Sequence, residues 1–402
     1  MSRNGLEIET WPAELRLLVE CCHPAPGDEQ LARLTDVITA GIDWNALLRF
    51  ANYHQVVSLV RYRLQKLTPG LIPAPVWEAL GKLDQHSRMR AIGLMVELLR
   101  IVKACRAEGV ELICLKGPVL ALQLHGDISR RHCMDLDFLV RFQDVRKTHS
   151  ILQQLGYEAT NPEIFTSSIH WSVFTRSKHH VCFRRTGETL QLEVHFRLFK
   201  NPHVLSNQLL DAWSRSESLV FRGVELKTLA SVDNMIFLCV HGSIHRWFLL
   251  KWLADVAHWC QACPADWESL AARATVLGLD RPVAQSLCLR RILFDAPVTD
   301  MFAPSHPDPA VLEMTRQALQ VVRETRERGS HGLGDVFRER LYLLKLKRTW
   351  RYKLRYVRDL FYLDSHRNIL RLPSLLFPLY LLLNPFLWFY KNYLRRQPPR
   401  EK

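Results

Sequence analysis

The first residues, MSRNGLEIETWPAELRLL, contain no basic n-region, no long apolar stretch and no small-residue cleavage site. That pattern argues against a secretory signal and predicts that the folded part of the chain stays in the cytoplasm. Internal repeats and low-complexity segments are also missing, which excludes solenoids and disorder as general descriptions. The ten cysteines are scattered through apolar stretches and make no disulfide framework, so they read as reduced thiols, many of them buried. The one CxxC, Cys260 to Cys263, has no second ligand pair at zinc-site spacing and reads as two ordinary cysteines on a helix turn.

What is present is a folded chain. With 402 residues, 48% of them hydrophobic and 23% charged, it has material for two or three domains. The net charge of +14 invites a nucleic-acid reading, but its location matters more than its size. Residues 338–402 hold 16 Lys and Arg against four acidic residues, a net of 16 − 4 = +12, which leaves +2 for residues 1–337. The region before the tail is nearly neutral.

Residues 1–86 carry helix-period apolar spacing, as in Ala46, Leu47, Phe50 and Ala51, and are expected to form an N-terminal helical region. The pattern repeats from Ser87 to Ala107 and stops at Gly109. Val110 to Leu115 then reads as a buried strand ended by Lys116-Gly117-Pro118, with Pro118 opening a short helix to about Leu124. Met134 to Val140 reads as the next strand, Asp144 to Leu155 as a helix, and His180–Arg185 and Leu190–Leu198 as a hairpin turning at Thr186-Gly187. This order predicts an α/β (α+β) fold: a small mixed sheet over residues 87–230, flanked by the N-terminal helices and by a C-terminal helical domain over residues 231–337.

Chemistry concentrates on two strands. Asp135 and Asp137 are two residues apart and share a strand face, whereas Leu136, Phe138 and Val140 take the other. Two carboxylates so close are costly without a cation, and hard oxygen donors suit Mg²⁺ or Mn²⁺. By itself the pair reads more readily as two solvated aspartates on an exposed edge strand, but its surroundings argue for a site. Lys116-Gly117 lies at a strand-to-helix turn, where glycine lets backbone approach a phosphate and the free amides of the helix start favour negative charge. On the later strand Gln191, Glu193, His195 and Arg197 share a face, with Glu193 available as a third carboxylate. His195 leaves two roles open, a positioning or proton-carrying group and a hydrogen-bonded structural residue. His241 and His245 share a helix face, but without the glutamate of HExxH they read as packing residues; Asp255, on an apolar helix, reads as a buried acceptor for one of them.

Ile113-Cys-Leu-Lys-Gly-Pro118, Arg131-His-Cys-Met-Asp-Leu-Asp-Phe-Leu-Val140 and Leu192-Glu-Val-His-Phe-Arg-Leu198 together resemble the bacterial uncharacterised nucleotidyltransferase family of the polymerase-beta-like superfamily. The segment from His241 to Trp247, followed by Trp252 to Asp255, is similar to the helical region behind that family's sheet, so the resemblance spans about residues 40–270. It departs in carrying Gly117-Pro118 where the superfamily's usual turn is Gly-Gly or Gly-Ser, and in a longer gap to the first aspartate. The resemblance implies that Asp135, Asp137 and Glu193 hold Mg²⁺ (or Mn²⁺) and the NTP, and that Glu193 helps activate an acceptor hydroxyl. It implies further that Gly117 offers backbone donors to phosphate, that Lys116 and Arg131 balance phosphate charge, and that His241, His245 and Asp255 stand behind the site. It also leans toward a saccharide or lipid-linked acceptor. Transfer to protein or RNA, or a scaffold that binds nucleotide without turnover, are the rivals.

The tail reads as a basic amphipathic helix, with Leu343, Leu346, Trp350, Leu354, Val357 and Phe361 at spacings of three or four among Lys and Arg. It is followed by Leu372 to Tyr390, which has no charge but contains three prolines. This predicts attachment to the surface of an anionic membrane, with a spanning helix, burial against the protein itself, and nucleic-acid binding as alternatives.

Overall fold

The computed structural model describes residues 8–24, 27–205, 212–263, 266–296, 308–324, 333–360, 370 and 379–390. Four helices come first: α1 (Ala13–Cys21), α2 (Asp28–Thr39), α3 (Trp44–Tyr53) and α4 (Val57–Leu64). The start of α3 shows why it begins where it does, since the Asp43 carboxylate accepts from the backbone amides of Asn45 and Ala46 and satisfies two otherwise unpaired donors. Then α5 runs unbroken from Ala74 to Ala107, through the boundary at 86/87 drawn from sequence. Its partners change near that point: Leu80 belongs to the helical core, whereas Leu94, Met95, Leu98, Ile101, Val102 and Cys105 pack on the sheet.

The sheet has seven strands, more than the sequence pattern suggested. They are β1 (Leu112–Cys114), β2 (Asp135–Val140), β3 (Glu158–Ala159), β4 (His180–Arg184), β5 (Gln191–His195), β6 (Glu217–Phe221) and β7 (Val224–Thr228), in the order β3-β4-β5-β2-β1-β7-β6. It is mixed, as expected: β2 is parallel to β5 and β1 to β7, and the other pairs are antiparallel. The hairpin β6–β7 lacked a legible signal because β6 alternates over a largely exposed edge. Between strands lie α6 (Gly117–His125), α7 (Val145–Gln154), α8 (Ser168–Ser177) and α9 (Ala212–Arg215).

Behind the sheet follow α10 (Ser231–Ile244), α11 (Leu250–Ala262), α12 (Trp267–Leu277), α13 (Asp280–Phe294), α14 (Pro309–Glu324), α15 (Leu333–Lys345) and α16 (Trp350–Leu360), and last a helix over Tyr380–Phe389. Leu17, Leu18 and Leu47 from the first helices share one hydrophobic core with Phe237, Trp247, Leu253 and Leu293, so the helical segments on either side of the sheet bury their apolar faces together.

The turn between α10 and α11 is tightly built. Arg246 and Trp247 both adopt positive φ, at 52° and 57°, which costs energy for residues with a Cβ. The Trp247 ring is fully buried, and a Cβ on Gly242 would lie 2.2 Å from it. Gly242→Ala is therefore expected to lower stability by at least about 2 kcal/mol, read as a drop in the urea midpoint, because the ring has no room to retreat. An unchanged midpoint would mean that this turn repacks freely.

The tail differs from the sequence expectation. Its amphipathic pattern is split into α15 and α16: Leu343 and Leu346 enter the core, while Trp350, Leu354 and Val357 are exposed and α16 packs through Tyr352 and Tyr356 instead. Phe361 and residues 372–378 lie outside the described residues. Among the described residues no helix is long and apolar enough to cross a membrane.

Candidate functional site

Backbone register assembles one polar face across three strands. Asp137 stands opposite Glu193 in the β2–β5 pairing, and Glu193 stands opposite Cys182, and His195 opposite His180, in the β4–β5 pairing. Because side chains alternate, Asp135, Asp137, Gln191, Glu193, His195, His180 and Cys182 share this side. On the reverse side Leu136, Phe138, Val140, Leu192, Val194, Val181 and Phe183 are buried in the core under α5 and α7. A one-residue slip of β2 would exchange the two sets, so the hydrophobic side fixes which way the carboxylates point.

Within that face the two aspartates differ. Asp137 is buried, accepts a hydrogen bond from His195 Nε2 at 3.0 Å, and lies 3.6 Å from the Lys116 ammonium. Burial alone would raise its pKa, but Lys116 and His195 prevail and hold the carboxyl well below the usual range. Asp135 has no ion-pair partner within 4.0 Å among the described residues, and burial, reinforced by Asp137, pushes its pKa up to about 6. Lys116 and Lys251 oppose that rise without forming an ion pair with Asp135, so the two neighbouring carboxylates could hold a cation. His195 is opposed by burial, yet its hydrogen bonds to Asp137 and Glu193 raise its affinity for a proton.

Lys116 reaches the face because β1 ends at Cys114 and α6 begins at Gly117. Gly117 has φ of +65°, so any side chain there would be strained although space is available. The ammonium also lies 5.7 Å from the Phe237 ring centroid, which links the turn to α10.

Three expectations need revision. Arg131, expected to balance phosphate charge, is buried and committed to Asp255, donating from Nε at 2.8 Å and from Nη2 at 2.9 Å. Asp255 correspondingly serves this arginine and not a histidine, because the guanidinium offers a planar two-point match that an imidazole lacks. Arg197 leaves the shared face as well: β5 ends at His195, and the guanidinium turns to the backbone carbonyls of Thr175 and Lys178 at the end of α8. His241 and His245, expected to pack against the sheet, pack on each other and on Trp252 of α11, with ring centroids 4.7 Å apart and each 5.1 Å from Trp252. Burial, followed by nearby Lys116, depresses the basicity of His241, so it faces the site as a neutral ring.

Sequence reasoning missed His179, His180, Cys182 and Lys251. His180 and Cys182 had a signal in the strand opposite Glu193 and His195, had register been assigned, and His179 immediately precedes that strand. Lys251, a lone charge in the apolar start of α11, donates to Gln55 Oε1 and sits 3.4 Å from the His132 carbonyl. Burial lowers its pKa to about 8, followed by the repulsion of Arg131, and Asp135 is among the acids that oppose the shift.

The family described as "Uncharacterised nucleotidyltransferase" matches residues 40–295, a span that contains the whole of this face and helices α10 to α13 behind it. No curated protein and no solved structure gives a significant match.

Proposed function

The chain belongs to this nucleotidyltransferase family, and from that premise we propose that it moves an NMP group from an NTP to an acceptor hydroxyl in a reaction that depends on Mg²⁺ or Mn²⁺. The observation that carries the reading is Asp135, a half-buried carboxylate without an ion-pair partner among the described residues, beside Asp137 and one strand away from Glu193. Asp135, Asp137 and Glu193 would hold the metal, and their oxygen donors fit a hard divalent ion. Such an ion supplies charge neutralisation at the phosphates and at the attacking oxygen. Lys116, on the rim of the carboxylates, balances triphosphate charge, and the start of α6 offers backbone amides to phosphate. His195 fixes the orientation of Asp137 and is placed to carry a proton from the acceptor hydroxyl by way of Glu193, whose Oε2 lies 3.5 Å from its Nε2.

Calorimetric titration of each NTP with Mg²⁺ tests this. One NTP is expected to bind only with the ion, and the affinity should rise as pH increases through about 6, because Asp135 ligates only when it has lost its proton. Binding that ignores both metal and pH would favour a scaffold that holds nucleotide without turnover.

The acceptor is proposed to be a saccharide or lipid-linked precursor, met at a membrane surface. Support for the surface comes from α16, where exposed Trp350, Leu354 and Val357 stand among exposed Arg351, Lys353, Arg355 and Arg358. Vesicles containing anionic lipid should retain the full chain at low salt. Replacing Lys353 and Arg355 by Glu should weaken retention by more than tenfold, from about 1 kcal/mol for each lost charge and the repulsion added. Equal retention on neutral vesicles would sink this assignment, and preferential retention on RNA would move the acceptor to nucleic acid.

A further inference from the structure

The carboxylates do not use all the donors on this face. Where β4 meets β5, Glu193 Oε2 lies 3.5 Å from His195 Nε2 and 3.7 Å from His180 Nδ1, and His195 Nε2 lies 3.0 Å from Asp137 Oδ1. Donors sharing one ion at bond lengths of about 2.1 Å stand roughly 3.0–3.4 Å apart, and the 3.3 Å between His179 Nε2 and His180 Nδ1 falls in that range. The potential ligand atoms fall into three overlapping triads, His179–His180–His195, His180–Cys182–Glu193 and Asp137–Glu193–His195, each with donor atoms within 4.8 Å of one another.

The histidines are also incompletely satisfied as structural residues. The Nδ1 atoms of His179 and His195 are buried with no hydrogen-bond partner among the described residues. Buried polar atoms of folded proteins are nearly always paired, so two such nitrogens at one spot point to an interaction that protein atoms alone do not supply. The rings are crowded as well, with centroids 4.4 Å apart for His179 and His180, 5.2 Å for His179 and His195, and 5.0 Å for His180 and His195.

We propose that His179, His180 and His195 form a second, nitrogen-rich cation site that takes a borderline divalent ion of the Zn²⁺, Co²⁺ or Mn²⁺ class. It borders the carboxylates, since His195 Nε2 donates to Asp137 while its Nδ1 is unpartnered among the described residues. Imidazole nitrogen favours these ions over Mg²⁺, which prefers oxygen and water, so the two halves of the face differ in metal preference. The proposal stands apart from the nucleotidyltransferase reading; its content is binding of a transition ion without nucleotide.

The test is calorimetric titration of Zn²⁺, Mn²⁺ and Mg²⁺ into the chelator-treated, tag-free full chain with no nucleotide. One equivalent of Zn²⁺ is expected to bind, with Mn²⁺ weaker and Mg²⁺ weaker still. His180→Ala and His180→Asn should each weaken Zn²⁺ by about tenfold to hundredfold while the thermal melt of the ion-free protein stays in place. Asp135→Asn should leave Zn²⁺ affinity within about twofold, since Asp135 belongs to the oxygen half. Absence of Zn²⁺ binding, affinity unchanged in both His180 variants, or loss of binding in Cys260→Ser would each overturn the proposal. The two readings fail separately: Zn²⁺ binding that depends on His180 without any NTP binding removes nucleotidyl transfer alone, and NTP·Mg²⁺ binding without Zn²⁺ uptake removes this site alone.

Discussion

Asp135→Asn and Asp137→Asn are each expected to reduce nucleotidyl transfer by at least about 1000-fold, close to 4 kcal/mol of transition-state stabilisation, and yet to differ sharply in stability. Asp135 has no ion-pair partner among the described residues, and its burial disfavours the charged form, so an amide in its place removes a cost and leaves the fold intact. Asp137 is held by Lys116 and His195, and an amide there leaves a largely buried ammonium facing a neutral group. Loss of one partner from such a pair costs about 3 kcal/mol. Single-turnover rates with the NTP identified by calorimetry, set beside urea denaturation of both variants, separate the two effects. Retention of transfer within tenfold in Asp135→Asn would remove this residue from the metal site.

Asp255→Ala should be among the most destabilising substitutions in the chain, by roughly 3–5 kcal/mol, because it strands the Arg131 guanidinium in a buried position. The pair joins the segment that enters β2 to α11, 124 residues further along. Its loss would therefore shift Asp135 and Asp137 relative to the helices behind the sheet. Replacing both partners together by Met and Leu is expected to recover most of the stability, since the cost lies in the unpaired charge more than in the missing contact. A double-mutant cycle in urea measures this, and a loss below 1 kcal/mol for Asp255→Ala would show that water reaches the arginine.

Much of the polar face was legible in sequence because its signals are local. Period-two alternation places Asp135 with Asp137 and Glu193 with His195, and a glycine at a strand-to-helix turn needs no tertiary information to interpret. The edge strands β3 and β6 were not legible: one has two residues, and the other alternates over an exposed face. Arg131 shows the limit most clearly. A family pattern can align an arginine with a phosphate role, but only its surroundings determine whether the guanidinium meets a ligand or a carboxylate of its own chain, and here Asp255 takes both of the donors that match it.

By itself the sequence determined the class of the fold, the order of the strands that carry Asp135, Asp137 and Glu193, and which of these residues share a strand face, because these follow from spacing along a strand. Tertiary structure alone decided which strands are neighbours, and with that it placed His180 and Cys182 of β4 against His195 and Glu193 of β5 and brought Lys251 toward Asp135. The physical reason is that register and burial depend on contacts between residues far apart in the chain. Charge balance, proton affinity and metal preference depend on those contacts in turn.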